Sequence, residues 1–92
     1  MRAKKIDTNQ NDIVKHLRKC GASVHITSML GGGFPDLVVG VGGKNFLIEL
    51  KDGDKTESRK RLTPDEVKFF DRWNGQVNKC ETLEDIFKII GF

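Results

Sequence analysis

The spacing of apolar residues predicts that the chain opens with an amphipathic helix. Apolar positions recur there every three or four residues, as one buried face of a helix requires. The stripe consists of Ile13, Val14, Leu17 and Cys20. Asp7 or Thr8 can cap the start of this helix, and Gly21 can end it.

The pattern then changes to alternation, which predicts strands. Val24 and Ile26 alternate with His25 and Thr27, so we expect a short strand over residues 22–28. Three glycines at positions 31–33 interrupt the pattern, because glycine clusters mark turns and loops.

Two further apolar runs, at residues 37–41 and 45–50, flank Gly42-Gly43. Two glycines satisfy the positive φ angles of a type I′ turn, so this segment predicts a tight β-hairpin. A four-residue loop over residues 41–44 would keep the same strand register.

A charged stretch over residues 52–62 leads to a second helix. Thr63 is its N-cap, Pro64 its first residue, and Glu66 completes a capping box. The helix should stop at Asn74-Gly75. Its apolar residues are Val67, Phe69, Phe70 and Trp73, of which Trp73 and the two phenylalanines fit a hydrophobic core.

A last strand over residues 76–80 and a final helix capped by Thr82 complete the pattern. The apolar positions of that helix are Ile86, Ile89 and Ile90. The order is therefore α-β-β-β-α-β-α, which predicts an α/β fold with a central mixed sheet flanked by helices.

Length and composition narrow the class of protein. The 92 residues predict a single domain over residues 1–92, and the net charge of +3 fits a nucleic-acid partner. Cys20 and Cys80 form no metal-binding spacing, so we expect two buried, reduced thiols. The chain shows neither a signal peptide nor an apolar span, so we expect no membrane partner and a cytoplasmic location.

The hairpin brings the candidate chemistry together. If Gly42-Gly43 is the turn, counting back along both strands sets Asp36 opposite Glu49 on one face. Lys51 points to that same face, because strand side chains alternate. Two facing carboxylates repel each other unless a cation compensates, and Mg²⁺ prefers such oxygen ligands. The plainer alternative is a solvated acid pair with Lys51 as a simple salt bridge.

Phosphodiester hydrolysis requires these groups. It needs an activated water, a Lewis acid on the phosphoryl oxygen and neutralisation of the developing charge. A metal held by Asp36 and Glu49 meets the first two needs, and Lys51 can orient or deprotonate the water or stabilise the charge.

A family resemblance follows from these motifs. Gly33-Phe34-Pro35-Asp36, a spacer and then Glu49-Leu50-Lys51 resemble the PD-(D/E)xK nuclease signature. With the hairpin, the charged loop and the segment from Leu62 to Glu66, the chain resembles the virus-type replication-repair nuclease (VRR-NUC) domain along nearly its whole length.

The resemblance implies a restriction-endonuclease-like core that uses Mg²⁺ or Mn²⁺ to cut branched DNA, above all four-way (Holliday) junctions, as a homodimer in a bacterial or phage-infected cell. It implies Asp36 and Glu49 as catalytic metal ligands, the backbone carbonyl of Leu50 as a further ligand, and Lys51 as the catalytic lysine. The family's usual glutamate at the start of the first helix is absent, and Asp7 or Gln10 could substitute for it. Glu66 stands where the family often has glutamine, and its capping role alone explains it, with an auxiliary catalytic part as the alternative.

A basic cluster follows the motif lysine and comprises Lys55, Arg59, Lys60 and Arg61. It suits phosphate binding as well as it suits a solvated loop. The sequence shows no interleaving of aromatic and basic residues of the kind that single-strand binding surfaces use. Beside the nuclease, two alternatives remain: a basic DNA-binding protein with an impaired site, and a sequence-specific restriction enzyme, for which the chain leaves little room.

Overall fold

A mixed sheet of four strands is the frame of the chain in the computed structural model, which describes the backbone of residues 3–92 and the side chains of residues 9–92. The strands are β1 (Ser23–Ile26), β2 (Leu37–Val41), β3 (Lys44–Leu50) and β4 (Asn78–Cys80). They lie side by side in that order, the first three antiparallel and β4 parallel to β3. The predicted α/β class with a mixed sheet is therefore confirmed.

Four helices accompany the sheet in the described part of the chain: α1 (Ala3–Lys19), α2 (Glu57–Lys60), α3 (Pro64–Arg72) and α4 (Leu83–Ile90). The predicted order lacks α2, which lies in the charged stretch expected to be irregular. A single helical turn is too short to produce an apolar period, so the pattern could not reveal it. No helix among the described residues has the length and apolarity needed to cross a membrane.

The hairpin of β2 and β3 forms around the predicted glycine turn. Gly42 and Gly43 both have positive φ angles, of 60° and 79°. Val41 faces Lys44, and the pairing continues down to Leu37 opposite Ile48. The predicted turn and register are confirmed, since only glycine adopts two successive positive φ angles without strain.

Capping boxes begin the two helices for which the sequence has the required residues. The Thr63 hydroxyl accepts the Glu66 backbone N–H, and the Glu66 carboxylate accepts the Thr63 N–H. Thr82 and Asp85 make the same exchange at the start of α4. Two unpaired N–H groups are satisfied at each helix start, which confirms the predicted starts of both helices.

The core lies between the sheet and the helices α1 and α4. Its fully buried members include Leu17, Leu37, Val39, Ile48 and Ile86. Ile13 and Val14 extend it, which confirms the predicted stripe at those positions.

Two predictions for the first helix are wrong. Cys20 is exposed, because α1 ends at Lys19 and the chain turns away through Gly21 at a φ angle of 97°. The cap at Asp7 or Thr8 is also wrong, since α1 already begins at Ala3, where alanine and lysine favour helix without a cap. The side chains of Asp7 and Thr8 lie outside the described residues.

The predicted core role is wrong for Trp73, and Phe69 and Phe70 are only half-buried, outside the core cluster. No residue of α3 is buried, and Val67 and Trp73 remain 51% and 43% exposed. An apolar stripe identifies the apolar face of a helix, but it does not show whether another element covers that face. Here the face meets Phe34 of the glycine loop, whose ring lies edge-on to Phe69 at 5.3 Å.

Candidate active site

The hairpin sets Asp36 and Glu49 against each other at one end of the sheet. Asp36 precedes Leu37 and Glu49 follows Ile48, the last pair of the ladder, so the two acids continue the same register. The backbone N–H of Leu50 donates to Oδ2 of Asp36 over 2.8 Å. Glu49 is only 3% exposed. The predicted pairing of the two carboxylates is therefore present.

The burial of Glu49 leaves its carboxylate poorly compensated. Its Oε1 is buried and finds no hydrogen-bond partner among the described residues. Burial first, and then the charge of Asp36, raise the pKa of Glu49 to about 9. Burial also raises the pKa of Asp36, although the hydrogen bond from Leu50 opposes the rise. With these raised pKa values, the pair holds a proton at neutral pH.

Lys51 lies between two carboxylates on the same face. Its Nζ is 3.5 Å from Oε2 of Glu49 and donates to Oε1 of Glu66 over 2.8 Å. Burial by itself would lower the pKa of Lys51, but the hydrogen bond and charge of Glu66 outweigh it and raise the pKa. Burial would likewise raise the pKa of Glu66, yet the bonds from Lys51 and Thr63 lower it. Lys51 and Glu66 are thus a charged pair at neutral pH.

Glu66 therefore contacts the site, whereas the sequence argued for little more than a helix cap. Its position depends on Gly33, which has a φ angle of +79°. A Cβ at Gly33 would collide with the backbone carbonyl of Asp65 and come within 2.9 Å of the Glu66 nitrogen. Only glycine lets the start of α3 pack this closely against the loop, and that contact brings Glu66 to Lys51.

The loop that carries Asp36 is tied down at its base. Thr27 is buried, although the alternating pattern predicted that it lies on the polar side of the strand. Its hydroxyl donates to the Pro35 carbonyl over 2.7 Å. The Thr27 N–H donates to the Asp36 carbonyl, also over 2.7 Å. Both ends of the glycine loop are therefore fixed, which holds Asp36 at the mouth of the hairpin.

A cavity of about 280 Å³ opens over these residues. Gln10 lines it and contacts the hydroxyl of Ser28 at 3.5 Å, so of the two proposed substitutes Gln10 faces the site, while the Asp7 side chain lies outside the described residues. Asn9 and Ser28 also line the cavity. Sequence reasoning missed both, since their only signal was proximity to Gln10 and to the glycine loop.

The donor set of the cavity consists of oxygen ligands. Carboxylates of Asp36 and Glu49, the Gln10 amide and the backbone of Leu50 at its wall are the groups that Mg²⁺ and Mn²⁺ prefer. The unpartnered Oε1 of Glu49 fits a cation ligand. Among the described residues, no three His, Cys, Asp or Glu side chains are grouped closely enough to hold a metal by themselves.

The basic cluster stands apart from this cavity, and none of its four residues is among the described residues that line it. Arg59 and Arg61 are exposed and Lys55 is half-buried. Lys60 is paired with Glu57 at 3.2 Å and Glu81 at 3.4 Å, so two carboxylates already offset its charge. Arg59 and Arg61 are the members best exposed to a phosphate backbone.

Comparison of the chain with protein-family models, with curated proteins and with solved structures found no match.

Proposed function

We propose that the chain is a metal-dependent nuclease of the VRR-NUC type with a restriction-endonuclease-like core. One observation carries the proposal. Glu49 is buried opposite Asp36 with an unpartnered oxygen, and Lys51 stands beside it on the same face. A protein has no structural reason to bury two facing acids, because their repulsion and desolvation oppose folding. A divalent cation would relieve both.

Asp36, Glu49 and the Leu50 carbonyl would hold the cation, with Gln10 in the place of the missing acid of the first helix. When bound, Mg²⁺ or Mn²⁺ supplies a Lewis acid and lowers the pKa of a bound water. Glu49 would have to lose its proton to serve as a ligand, since burial and the charge of Asp36 raise its pKa to about 9.

Lys51 supplies the positive charge that the reacting phosphate needs. Glu66 holds the Lys51 ammonium in place and keeps it protonated, so it can stabilise the negative charge that develops on the phosphoryl oxygens. A protonated lysine cannot act as the general base. Of the roles considered for Lys51, charge stabilisation is therefore the one we propose.

Branched DNA is the substrate we propose, with the four-way junction first. The family resemblance motivates it, and the exposed Arg59 and Arg61 suit contacts with the phosphate backbone. A junction has two-fold symmetry and its resolution takes two matched cuts, so a two-fold homodimer fits the substrate.

Cleavage of a substrate panel tests the proposal. We expect synthetic four-way junctions and flaps to be cut in Mg²⁺ or Mn²⁺ and not in EDTA. Asp36→Ala, Glu49→Ala and Lys51→Ala should each lower the rate by about 100-fold or more, while DNA binding persists. Asp71→Asn, an exposed acid of α3, is the matched control and should cut normally. Intact substrates under all of these conditions would exclude nuclease function.

One observation favours a second function, a basic DNA-binding protein with an impaired site. Lys51 already neutralises parts of both Glu49 and Glu66, so the acids have a resident cation. In that case calorimetry would detect no Mg²⁺ binding, and DNA would bind in a salt-dependent manner without being cut.

A further inference from the structure

Three aromatic rings form a continuous surface beside the candidate active site, which we call the aromatic surface: Phe34, Phe69 and Trp73. The Phe34 ring meets Phe69 edge-on with centroids 5.3 Å apart, and Phe69 stacks on Trp73 at 5.0 Å with an interplanar angle of 19°. The Trp73 ring is also confined by the turn that follows, since a Cβ at Gly75 would lie 3.0 Å from its Nε1. Trp73 therefore ends this row of rings, with Phe69 on one side and the turn at Gly75 close by.

Folding covers this apolar area only in part. No residue of α3 is fully buried, Phe69 is half-buried, and Trp73 remains 43% exposed. A tryptophan that stacks on a second ring at an exposed helix face is uncommon in a soluble protein unless a partner covers the two rings. The surface is therefore available for binding.

Basic side chains accompany the rings. Lys68 and Arg72 stand one turn apart on α3 and line the same groove as Phe69 and Trp73. Asp65 is the one acid at this groove, and it lies at the end nearer Gly32. Aromatic rings between cations are the arrangement that binds single-stranded nucleic acid, with bases stacking on rings and phosphates pairing with the cations. Lys68-Phe69 and Arg72-Trp73 are neighbours in the sequence and lie one helical turn apart, so the expectation that basic and aromatic residues do not interleave is wrong for this segment.

The groove leads away from the candidate site. Glu66, which contacts Lys51, lies near the start of α3, and Trp73 is its C-cap seven residues later, which is about 10.5 Å along the helix axis. That distance equals the rise of about three stacked nucleotides. A strand whose phosphate lay at Lys51 could place a base about three positions away on Trp73.

We propose that the aromatic surface binds an unpaired base of single-stranded DNA, with Lys68 and Arg72 on the adjoining phosphates. The position of that base relative to a cut rests on the proposed function, but the binding does not. The substrates selected are then those with an unpaired arm or a frayed branch point, since a base inside a duplex has no free face to stack.

The binding can be measured without cleavage. Trp73 is the only tryptophan in the chain, so its fluorescence reports directly on stacking. In EDTA, we expect a thymidine oligonucleotide of about 15 nucleotides to quench this fluorescence, and a blunt duplex of equal length to quench it far less. Binding should weaken between about 50 mM and 200 mM salt.

Variants locate the contact, with a fluorescein-labelled oligonucleotide as the probe. Trp73→Ala should weaken binding by about 5-fold to 150-fold, whereas Trp73→Phe, which keeps a stacking face and guards against misfolding, should stay within about 3-fold of the unaltered chain. Lys68→Gln with Arg72→Gln should weaken binding and lower its salt dependence. Val67→Ala, an exposed apolar residue of α3 outside the groove, is the matched control and should bind normally.

Each outcome decides the inference. Equal affinity of Trp73→Ala and the unaltered chain overturns it, and so does a duplex that quenches Trp73 as strongly as the single strand. A dimer that Trp73→Ala converts to monomer in light scattering, with unchanged oligonucleotide affinity, assigns the surface to a second copy instead. If the oligonucleotide binds through Trp73 but no substrate is cut, the proposed function fails and this inference stands. If junctions are cut and Trp73→Ala binds the oligonucleotide normally, the proposed function stands and this inference fails.

Discussion

Lys51 donates a hydrogen bond to Glu66 over 2.8 Å, across fifteen residues of sequence. The same Glu66 oxygen accepts the backbone N–H of Thr63 over 2.8 Å. One carboxylate oxygen therefore closes the cap of α3 and also holds the ammonium that stands beside Glu49. The stability of the helix start and the arrangement of the candidate site depend on the same atom.

Removing the Glu66 carboxylate should affect both the stability of the α3 start and the arrangement of the candidate site. We expect Glu66→Ala to lower the free energy of unfolding by about 1–3 kcal/mol, because the cap and the partner of a buried charge are lost together. Glu66→Gln should lose less, since glutamine also suits the third position of a capping box. Urea unfolding measures the difference. Stability of Glu66→Ala equal to that of the unaltered chain would show that neither bond matters.

The stability of the metal-free chain should fall as the pH rises. Glu49 has an ordinary pKa of 4.5 when unfolded and about 9 when folded, so between these values the folded chain holds a proton that the unfolded chain has released. The contribution of Glu49 to the free energy of unfolding is complete below pH 4.5 and is lost as the pH approaches about 9. The slope cannot exceed about 1.4 kcal/mol per pH unit for one proton. Urea unfolding in EDTA at several pH values measures it.

Glu49→Gln isolates the contribution of this residue to that slope. The variant should flatten the pH dependence and leave a smaller slope from Asp36, whose pKa is also raised. It should also be more stable than the unaltered chain at high pH by about 1–3 kcal/mol, since a buried charge that Lys51 offsets only in part has gone. Asp71→Asn should keep the original slope. A flat profile in the unaltered chain would mean that Glu49 is solvated.

The contact between the glycine loop and α3 should be sensitive to a single methyl group. Gly33→Ala places a Cβ against the Asp65 backbone at a φ angle of +79°, so α3 must move. Gly32→Ala has a similar φ angle of +64° but open space around it, so it should suffer only the conformational cost of about 1–2 kcal/mol. We expect Gly33→Ala to be the less stable of the two in urea unfolding and the slower in cleavage. Equal behaviour would mean that α3 is not held by this contact.

Local chemistry made much of this fold predictable. The glycine turn, the hairpin register and the threonine caps of α3 and α4 depend on residues close in sequence, and each appeared where expected. Burial was harder, because it depends on which element arrives from elsewhere. Cys20 completes the apolar stripe of α1 but lies past the helix end, and the rings of α3 mark an apolar face that no helix or strand covers.

The candidate site was likewise predictable only where it depends on residues close in sequence. Strand counting alone predicted that Asp36 and Glu49 face each other with Lys51 nearby. It could not predict that Glu66 reaches Lys51, because that contact needs Gly33 to admit α3 to the loop. Nor could it show that Lys60 is already neutralised by Glu57 and Glu81, since Glu81 lies beyond β4.

The two cysteines should differ sharply in reactivity. Cys20 is exposed, whereas burial first and the charge of Asp85 second raise the pKa of Cys80 to about 12. A thiol reagent such as Ellman's should therefore modify one thiol per native chain and two in denaturant. Cys20→Ser should leave almost none in the native state. Rapid reaction of both thiols in the native chain would mean that the β4 end of the sheet opens readily.

The turn at Gly42-Gly43 lies six residues from each of the two acids along the strands it joins, yet it sets which way both of them point. Adding a single codon there would shift one strand past the other, and a residue of the opposite face would take the place of Glu49. The gene should therefore accept base substitutions in this turn that keep both glycines, but not a change in the number of its codons. The number of residues in the turn therefore determines which side chains face each other at the candidate site.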